Sequence, residues 1–193
     1  MSTVVPVRAV VIGASAGAIE ALSVVFSKLP RHYALPILVV VHVPPDRHGA
    51  IPALFAAKCL LSVREADDKE PIEPGTIYFA PPDYHLMVDV SHSIALSSEE
   101  PVLFSRPSID VLFETAADVY GSDLVGVILT GANSDGARGL KRIADAGGVA
   151  LVQRPDQAAA SAMPQAALDS CPQARAMSLD EIASYLRNLG TTG

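Results

Sequence analysis

Short runs of β-branched residues recur along the chain, and each is followed by a segment whose apolar residues return with helical spacing. Residues 7–13 (VRAVVIG) read as a buried strand. Residues 17–28 read as a helix with Ile19, Leu22, Val25, Phe26 and Leu29 on one face, stopped by Pro30. A second strand spans 36–43 (PILVVVHV) and ends at Pro44 and Pro45; a helix over 49–60 and a short strand over 62–65 follow. Strands that are apolar throughout, rather than alternating, have to be covered on both faces, which is the condition of a parallel sheet flanked by helices.

The middle of the chain departs from this rhythm. Residues 66–75 are charged and hold two prolines, so they form a surface loop. Strands are expected at 76–80, 86–90 and 93–97, the last two separated only by Ser91 and His92, which is hairpin spacing. Residues 107–120 form an amphipathic helix with Ile109, Leu112, Phe113, Ala116, Ala117 and Tyr120 on one face. A strand at 123–130, a helix at 136–146 and a strand at 148–153 come next. A Pro/Ala-rich stretch with short helices and a last helix near 179–189 complete the chain. The fold class is α/β: a doubly wound, mostly parallel sheet with helices on both faces and one antiparallel hairpin. No repeat or linker divides residues 1–193, so one domain is expected.

Composition narrows the function classes. Half of the 193 residues are apolar and 18% are charged, which predicts a large buried core. The net charge of −7, without a Lys/Arg cluster, argues against a nucleic-acid partner. Cys59 and Cys171 are far apart in sequence, so a disulfide scaffold is not expected and a cytoplasmic location is. The longest apolar stretches, residues 37–41 and 125–129, fall far short of the roughly 20 residues of a membrane span. Ala14-Ser15-Ala16 resembles a signal-peptidase site, but Arg8 leaves too short an apolar region before it.

In doubly wound sheets, ligands gather beyond the carboxyl ends of the strands. Three strand ends carry polar side chains there. The first reads Gly13-Ala14-Ser15-Ala16-Gly17, which fits G-x-S-x-G, the sharp strand-to-helix turn that exposes a serine beside unpaired helix amides. A phosphate loop and a plain tight turn remain alternatives, although Ser15 replaces the middle glycine of a dinucleotide loop. The second end carries His42, which a buried core role would also explain. The third is Leu129–Gly136 (LTGANSDG), where Asp135 precedes a helix. An N-cap role would account for Asp135, yet Asn133 and Ser134 serve that purpose equally well, which frees Asp135. A hydroxyl, an imidazole and a carboxylate are what nucleophilic acyl transfer uses. The order Ser, His, Asp disfavours an ordinary α/β-hydrolase. A metal site at His42 and His48 lacks further ligands at suitable spacing.

These motifs resemble the catalytic domain of the CheB-type chemotaxis receptor methylesterases. The family pattern I-G-x-S-x-G-G-x-x-A-L is similar to residues 12–22, and Q-H-M-P to Val41-His42-Val43-Pro44. The tract Y-x-A-P-x-x-x-H-L resembles residues 78–86, and P-S-x-D-x-L-F matches residues 107–113. L-T-G-M-G-x-D-G resembles residues 129–136, and a later block that opens on alanine and closes on M-P resembles residues 159–164. The resemblance implies a three-layer α/β/α sandwich and hydrolysis of glutamate γ-methyl esters on methyl-accepting receptor signalling helices, often with glutamine deamidation. It implies Ser15 as nucleophile, His42 as base, Asp135 as orienting acid and the Ala132 amide as oxyanion donor, to which we add the Ala16 amide. No cofactor is expected.

Ala18 stands where the family has a second glycine, Val41 where it has glutamine, and Ala132 where it has methionine. The first core strand starts near Val7, so a receiver domain ahead of it is not expected. The activity is then constitutive or set by a separate response-regulator or kinase partner. The rival readings are a weakly active or inactive binding paralogue of the same fold and a nucleotide-binding turn. Cys59 is expected to fill the core from a helix face, Asp67, Asp68, Glu70 and Glu73 to form a solvated loop, and Arg47, Arg106 and Arg138 to sit on the surface or rim the cleft.

Overall fold

The computed structural model describes residues 7–42 and 49–190. Its elements in chain order are β1 (Ala9–Ala14), α1 (Ala18–Phe26), β2 (Ile37–Val41), α2 (Ala50–Ala56), β3 (Ser62–Glu65) and β4 (Thr76–Phe79). Then come β5 (His85–Val88), β6 (Ile94–Ser97), α3 (Ile109–Tyr120), β7 (Leu124–Ile128), α4 (Ala137–Asp145), β8 (Val149–Gln153), α5 (Ala162–Ser170), β9 (Arg175–Met177) and α6 (Leu179–Leu189). The main sheet runs β3-β4-β2-β1-β7-β8-β9, all parallel, and β5 and β6 pair antiparallel as a separate hairpin.

Alternation along the buried strands distributes the core between two layers. Val10, Ile12 and Ala14 of β1 face one cluster with Leu22 and Phe26 of α1, Phe55 of α2 and Ile182 and Leu186 of α6. The Phe26 and Phe55 rings meet edge-on with centroids 5.4 Å apart, and Phe55 stacks on Phe79 at 5.7 Å. Such ring contacts add to the area buried and fix the packing. Ala9 and Val11 face the opposite cluster with Leu112 and Phe113 of α3, Leu140 and Ile143 of α4 and Met163 of α5. The hairpin adds Leu86, Val88 and Ile94 to that second layer.

The strand order places the topological switch at β1. Chain connections run outward through β2 on one side and from β7 onward on the other. Crevices beyond the carboxyl ends form at such points. Residues 15, 42 and 130–136 follow the ends of β1, β2 and β7.

The elements differ from the sequence expectations in four places. Ile19 is partly exposed rather than on the packed face of α1, because Ala18 and Ala21 occupy the tight approach to the sheet. The helix of 49–60 ends at Ala56, and Cys59 lies beyond it, half-buried against the core. The strand of 86–90 begins at His85 and ends at Val88, leaving Val90 exposed. The Pro/Ala-rich stretch is followed by the edge strand β9, whose three residues are too few to show a period. Pro44, Pro45, Arg47 and His48 lie outside the described residues.

Candidate active site

The turn after β1 is held by its backbone. Ser15 N–H donates to Thr130 O (2.9 Å) and Ser15 O accepts from Ala18 N (2.9 Å), so the serine is locked between β7 and the start of α1. Gly17 has φ of 81°, a left-handed conformation, and a Cβ there would fall 2.8 Å from that of Ala159. Gly13 lies so near α3 that a Cβ would clash with the Ile109 side chain. Small residues in this motif are therefore a packing requirement as well as a turn requirement. Thr130 reinforces the turn: its hydroxyl donates to Ala16 O (2.8 Å) and accepts from Ala160 N (2.9 Å). Its own N–H donates to Gln153 Oε1 (2.9 Å) from the end of β8.

His42 follows β2, with its N–H donating to Ala14 O (3.2 Å) across to β1. Its Nε2 lies 2.8 Å from Asp135 Oδ2. An ionised carboxylate only accepts, so Nε2 carries the proton and Nδ1 is the basic nitrogen. Asn133 Nδ2 lies 3.4 Å from that Nδ1, and Asn133 Oδ1 accepts from Asp135 N–H (3.1 Å). Ser15 and His42 both line a cavity of about 420 Å³, together with Gly17, Ile19, Ile51 and Leu54. The partly exposed Ile19 belongs to this cavity wall. No hydrogen bond joins Ser15 Oγ to His42 among the described residues.

Asp135 is completely buried and its carboxylate accepts four hydrogen bonds. Ser108 Oγ (2.9 Å) and Asp110 N (3.0 Å) donate to Oδ1; Ile109 N (2.7 Å) and His42 Nε2 donate to Oδ2. That fills the capacity of a carboxylate. Burial by itself would push this carboxyl up, but the bonds from His42, Asp110 and Ile109 outweigh it and hold Asp135 below the ordinary carboxylate range. The acid therefore stays charged through the neutral range beside the His42 ring.

Asn133 and Ser134 do not cap α4 with their side chains, contrary to the sequence expectation. Asp110 does so from α3: its Oδ1 accepts from Gly136 N (3.0 Å) and Gly139 N (2.7 Å). Burial, with the nearby Asp135 charge adding to it, pushes the Asp110 carboxyl up, against the opposing bond from Gly139. His85 completes the support. Its Nδ1 accepts from Ser108 N (3.2 Å) and its Nε2 donates to Glu100 O (3.0 Å).

The structure thus brings Ser15 and His42 to one crevice, with Asp135 buried behind His42 and Ala16 and Ala132 exposed. Among the described residues, neither the Ala16 nor the Ala132 N–H has a protein acceptor, so both are available to an oxyanion. Arg106 lines a recess of about 240 Å³ on the other side of His42, and Arg138 lines a separate groove. The roles of His85, Ser108, Asp110, Thr130 and Gln153 went unassigned by sequence reasoning, although all but Gln153 fall within the matching motifs.

Comparison with known proteins gives the family of the chain that carries this site. The profile of the family described as CheB methylesterase matches residues 10–186. A Leptospira interrogans chain, provisionally named protein-glutamate methylesterase/protein-glutamine glutaminase, is 45% identical over 94% of this chain and 94% of its own length. A Bradyrhizobium diazoefficiens protein-glutamate methylesterase/protein-glutamine glutaminase is 38% identical over 83% of this chain, which spans 45% of that relative. The crystal structure of the Thermotoga maritima CheB methylesterase catalytic domain superposes with a TM-score of 0.89 at 28% identity, covering 96% of this chain and 100% of that one. The chain that bears this serine, histidine and buried aspartate belongs to the CheB methylesterase family.

Proposed function

We propose that the protein hydrolyses glutamate γ-methyl esters on methyl-accepting receptors, with Ser15 as nucleophile, His42 as general base and Asp135 as the acid that orients it. The observation that carries this reading is the bond from His42 Nε2 to the buried Asp135, which leaves Nδ1 basic in a ring that shares a cavity with Ser15. In the reaction, Nδ1 takes the proton of Ser15 Oγ as the oxygen bonds to the ester carbonyl carbon. The amides of Ala16 and Ala132 donate to the oxyanion. The tetrahedral species collapses, the C–O bond to the methoxy group breaks, and His42 returns the proton so that methanol leaves. Water then attacks the acyl-serine with His42 again as base, releasing glutamate and restoring Ser15. A glutamine amide would follow the same route with ammonia as leaving group, in keeping with the second activity in the relatives' names.

The test is release of methanol from membranes carrying methylated chemoreceptors. Ser15→Ala should lower kcat by about 10³-fold or more, and a fluorophosphonate probe should label the parent at Ser15 but not the variant. Near-full turnover by Ser15→Ala, or an unlabelled parent serine, would leave the fold without this chemistry.

A further inference from the structure

Residues 102–105 form a two-residue β-turn at the rim of the crevice. Val102 N–H donates to Ser105 O (3.1 Å) and Ser105 N–H donates to Val102 O (2.9 Å). The two central residues are Leu103, with φ of 48°, and Phe104, with φ of 62°. Positive φ at both centres is the geometry that Asn-Gly or Asp-Gly adopts without steric conflict, whereas large γ-branched or aromatic residues resist it. Burial does not compensate, because Leu103 is 49% exposed and Phe104 is fully exposed. Local propensity and the hydrophobic effect both oppose this pair in the free chain. A residue held where backbone and solvent both disfavour it points to a role outside the fold.

The location supplies that role. Phe104 lines the 240 Å³ recess together with His42, Asp83, Ser105 and Arg106, and His42 also forms the wall of the cavity that holds Ser15. Leu103 lines the separate groove with Ser134, Arg138 and Lys141. The turn thus places one of its central residues in each of these two depressions. Its base is rigid. The Arg106 guanidinium donates to Ser98 O (3.0 Å), Glu99 O (3.1 Å) and Asp83 Oδ1 (3.2 Å), and His85 ties Glu100 O to Ser108 N. An apolar tip on a fixed base is pre-organised for contact and loses little freedom when covered.

We propose that Leu103 and Phe104 are specificity determinants that grip the polypeptide carrying the esterified glutamate, through apolar side chains flanking that glutamate. This rests on the methylesterase reading. A glutamyl side chain is short, so a protein whose ester reaches Ser15 and His42 must lay its backbone and neighbouring side chains on the rim. Phe104 is part of that rim, continuous with the catalytic recess. Exposed aromatic side chains at the centre of a contact are the kind that dominate binding energy.

The test separates recognition of a protein from ester chemistry. Leu103→Asn/Phe104→Gly installs the residues that the turn geometry favours and removes the apolar tip; Phe104→Ala removes the ring alone. Methanol release from membranes carrying methylated chemoreceptors is compared with hydrolysis of p-nitrophenyl acetate. The expected result is a fall of about tenfold or more in the ratio of kcat/KM on the receptor to that on the small ester, mostly through KM. The double variant should also melt no lower than the parent. An unchanged ratio, or equal loss on both substrates, overturns the proposal, the latter by showing that the turn merely supports His42. A variant whose only change is in sedimentation would mean that the tip joins copies of this chain, and also overturns it. A parent that cleaves p-nitrophenyl acetate but releases no methanol from receptors refutes the methylesterase reading itself, a result visible without any variant.

Discussion

Asp110 and Asp135 exchange helix caps. Asp135 precedes α4 but accepts the Ile109 and Asp110 amides at the start of α3, while Asp110 lies in α3 and accepts the Gly136 and Gly139 amides at the start of α4. Each carboxylate sits at the positive end of the other's helix, where a negative charge is favoured. The exchange locks the two helices at the point where Asp135 meets His42. Orientation of the imidazole is thereby built into the packing of α3 on α4.

Asp135→Asn should damage both stability and turnover. An amide keeps one oxygen and presents an NH₂ group to donors, either Ile109 N and His42 Nε2 or Asp110 N and Ser108 Oγ. A buried unsatisfied donor costs about 1–3 kcal/mol, and a misoriented base costs about 10³–10⁴ in kcat. Ser108→Ala removes one of four donors and should cost only about 1 kcal/mol, with a far smaller loss of rate. Thermal denaturation and ester turnover of the two variants, measured side by side, check this ranking; equal rates would separate Asp135 from catalysis.

Asp110→Asn should behave in the opposite sense. The folded chain holds the Asp110 proton more tightly than the unfolded chain, so its contribution to stability is fully present below about pH 4 and is lost as pH rises through the raised folded value. Asparagine has no such proton, and its Oδ1 can still accept from Gly136 N and Gly139 N. Arg138 stands 4.0 Å from Asp110 and is already paired with Glu114 at 2.5 Å, so it loses little. The Tm of the variant relative to the parent should climb by a few degrees between about pH 4 and pH 7. A constant difference across that range would show that Asp110 does not titrate as its surroundings dictate.

Much of this site was legible before the structure. Buried parallel strands print as unbroken apolar runs, and a polar residue in a glycine-bounded turn after such a run has few places to go but the carboxyl edge. That logic located residues 15, 42 and 135. It could not say which helix Asp135 caps, because a carboxylate before a helix looks the same in sequence whether it caps that helix or a neighbour 25 residues away. The partners of His85 are hidden for the same reason: Glu100 and Ser108 lie 15 and 23 positions on, in a segment without periodicity. Leu103 and Phe104 were invisible as a turn, since nothing in their chemistry asks for positive φ.

Gly17→Ala tests the close packing around Ser15. The substitution forces a Cβ onto a left-handed residue and against Ala159 and Thr130, so both backbone and packing oppose it. We expect a loss of about 1–3 kcal/mol and a marked fall in turnover. The reason for the latter is that Thr130, which would be displaced, accepts Ser15 N–H through its carbonyl and holds Ala16 through its hydroxyl. Denaturant unfolding with ester assays reads both; full activity in a destabilised variant would mean that the turn tolerates the shift.

His85→Ala should weaken the site from a distance. His85 is buried, its Nδ1 accepts the Ser108 amide and its Nε2 donates to Glu100 O, so truncation leaves a donor and an acceptor unpaired and opens a cavity. Losses of about 2–4 kcal/mol follow from those groups and the missing ring together. The catalytic consequence runs through Ser108, whose hydroxyl donates to Asp135, and through the loop that carries Arg106 and Phe104. Turnover of p-nitrophenyl acetate should fall less than methanol release from methylated receptors, because only the latter depends on the placement of that loop. Hydrogen exchange should show faster opening across residues 98–108 and little change at Ser15. Equal protection of that segment in parent and variant would mean that His85 fills space without fixing the rim.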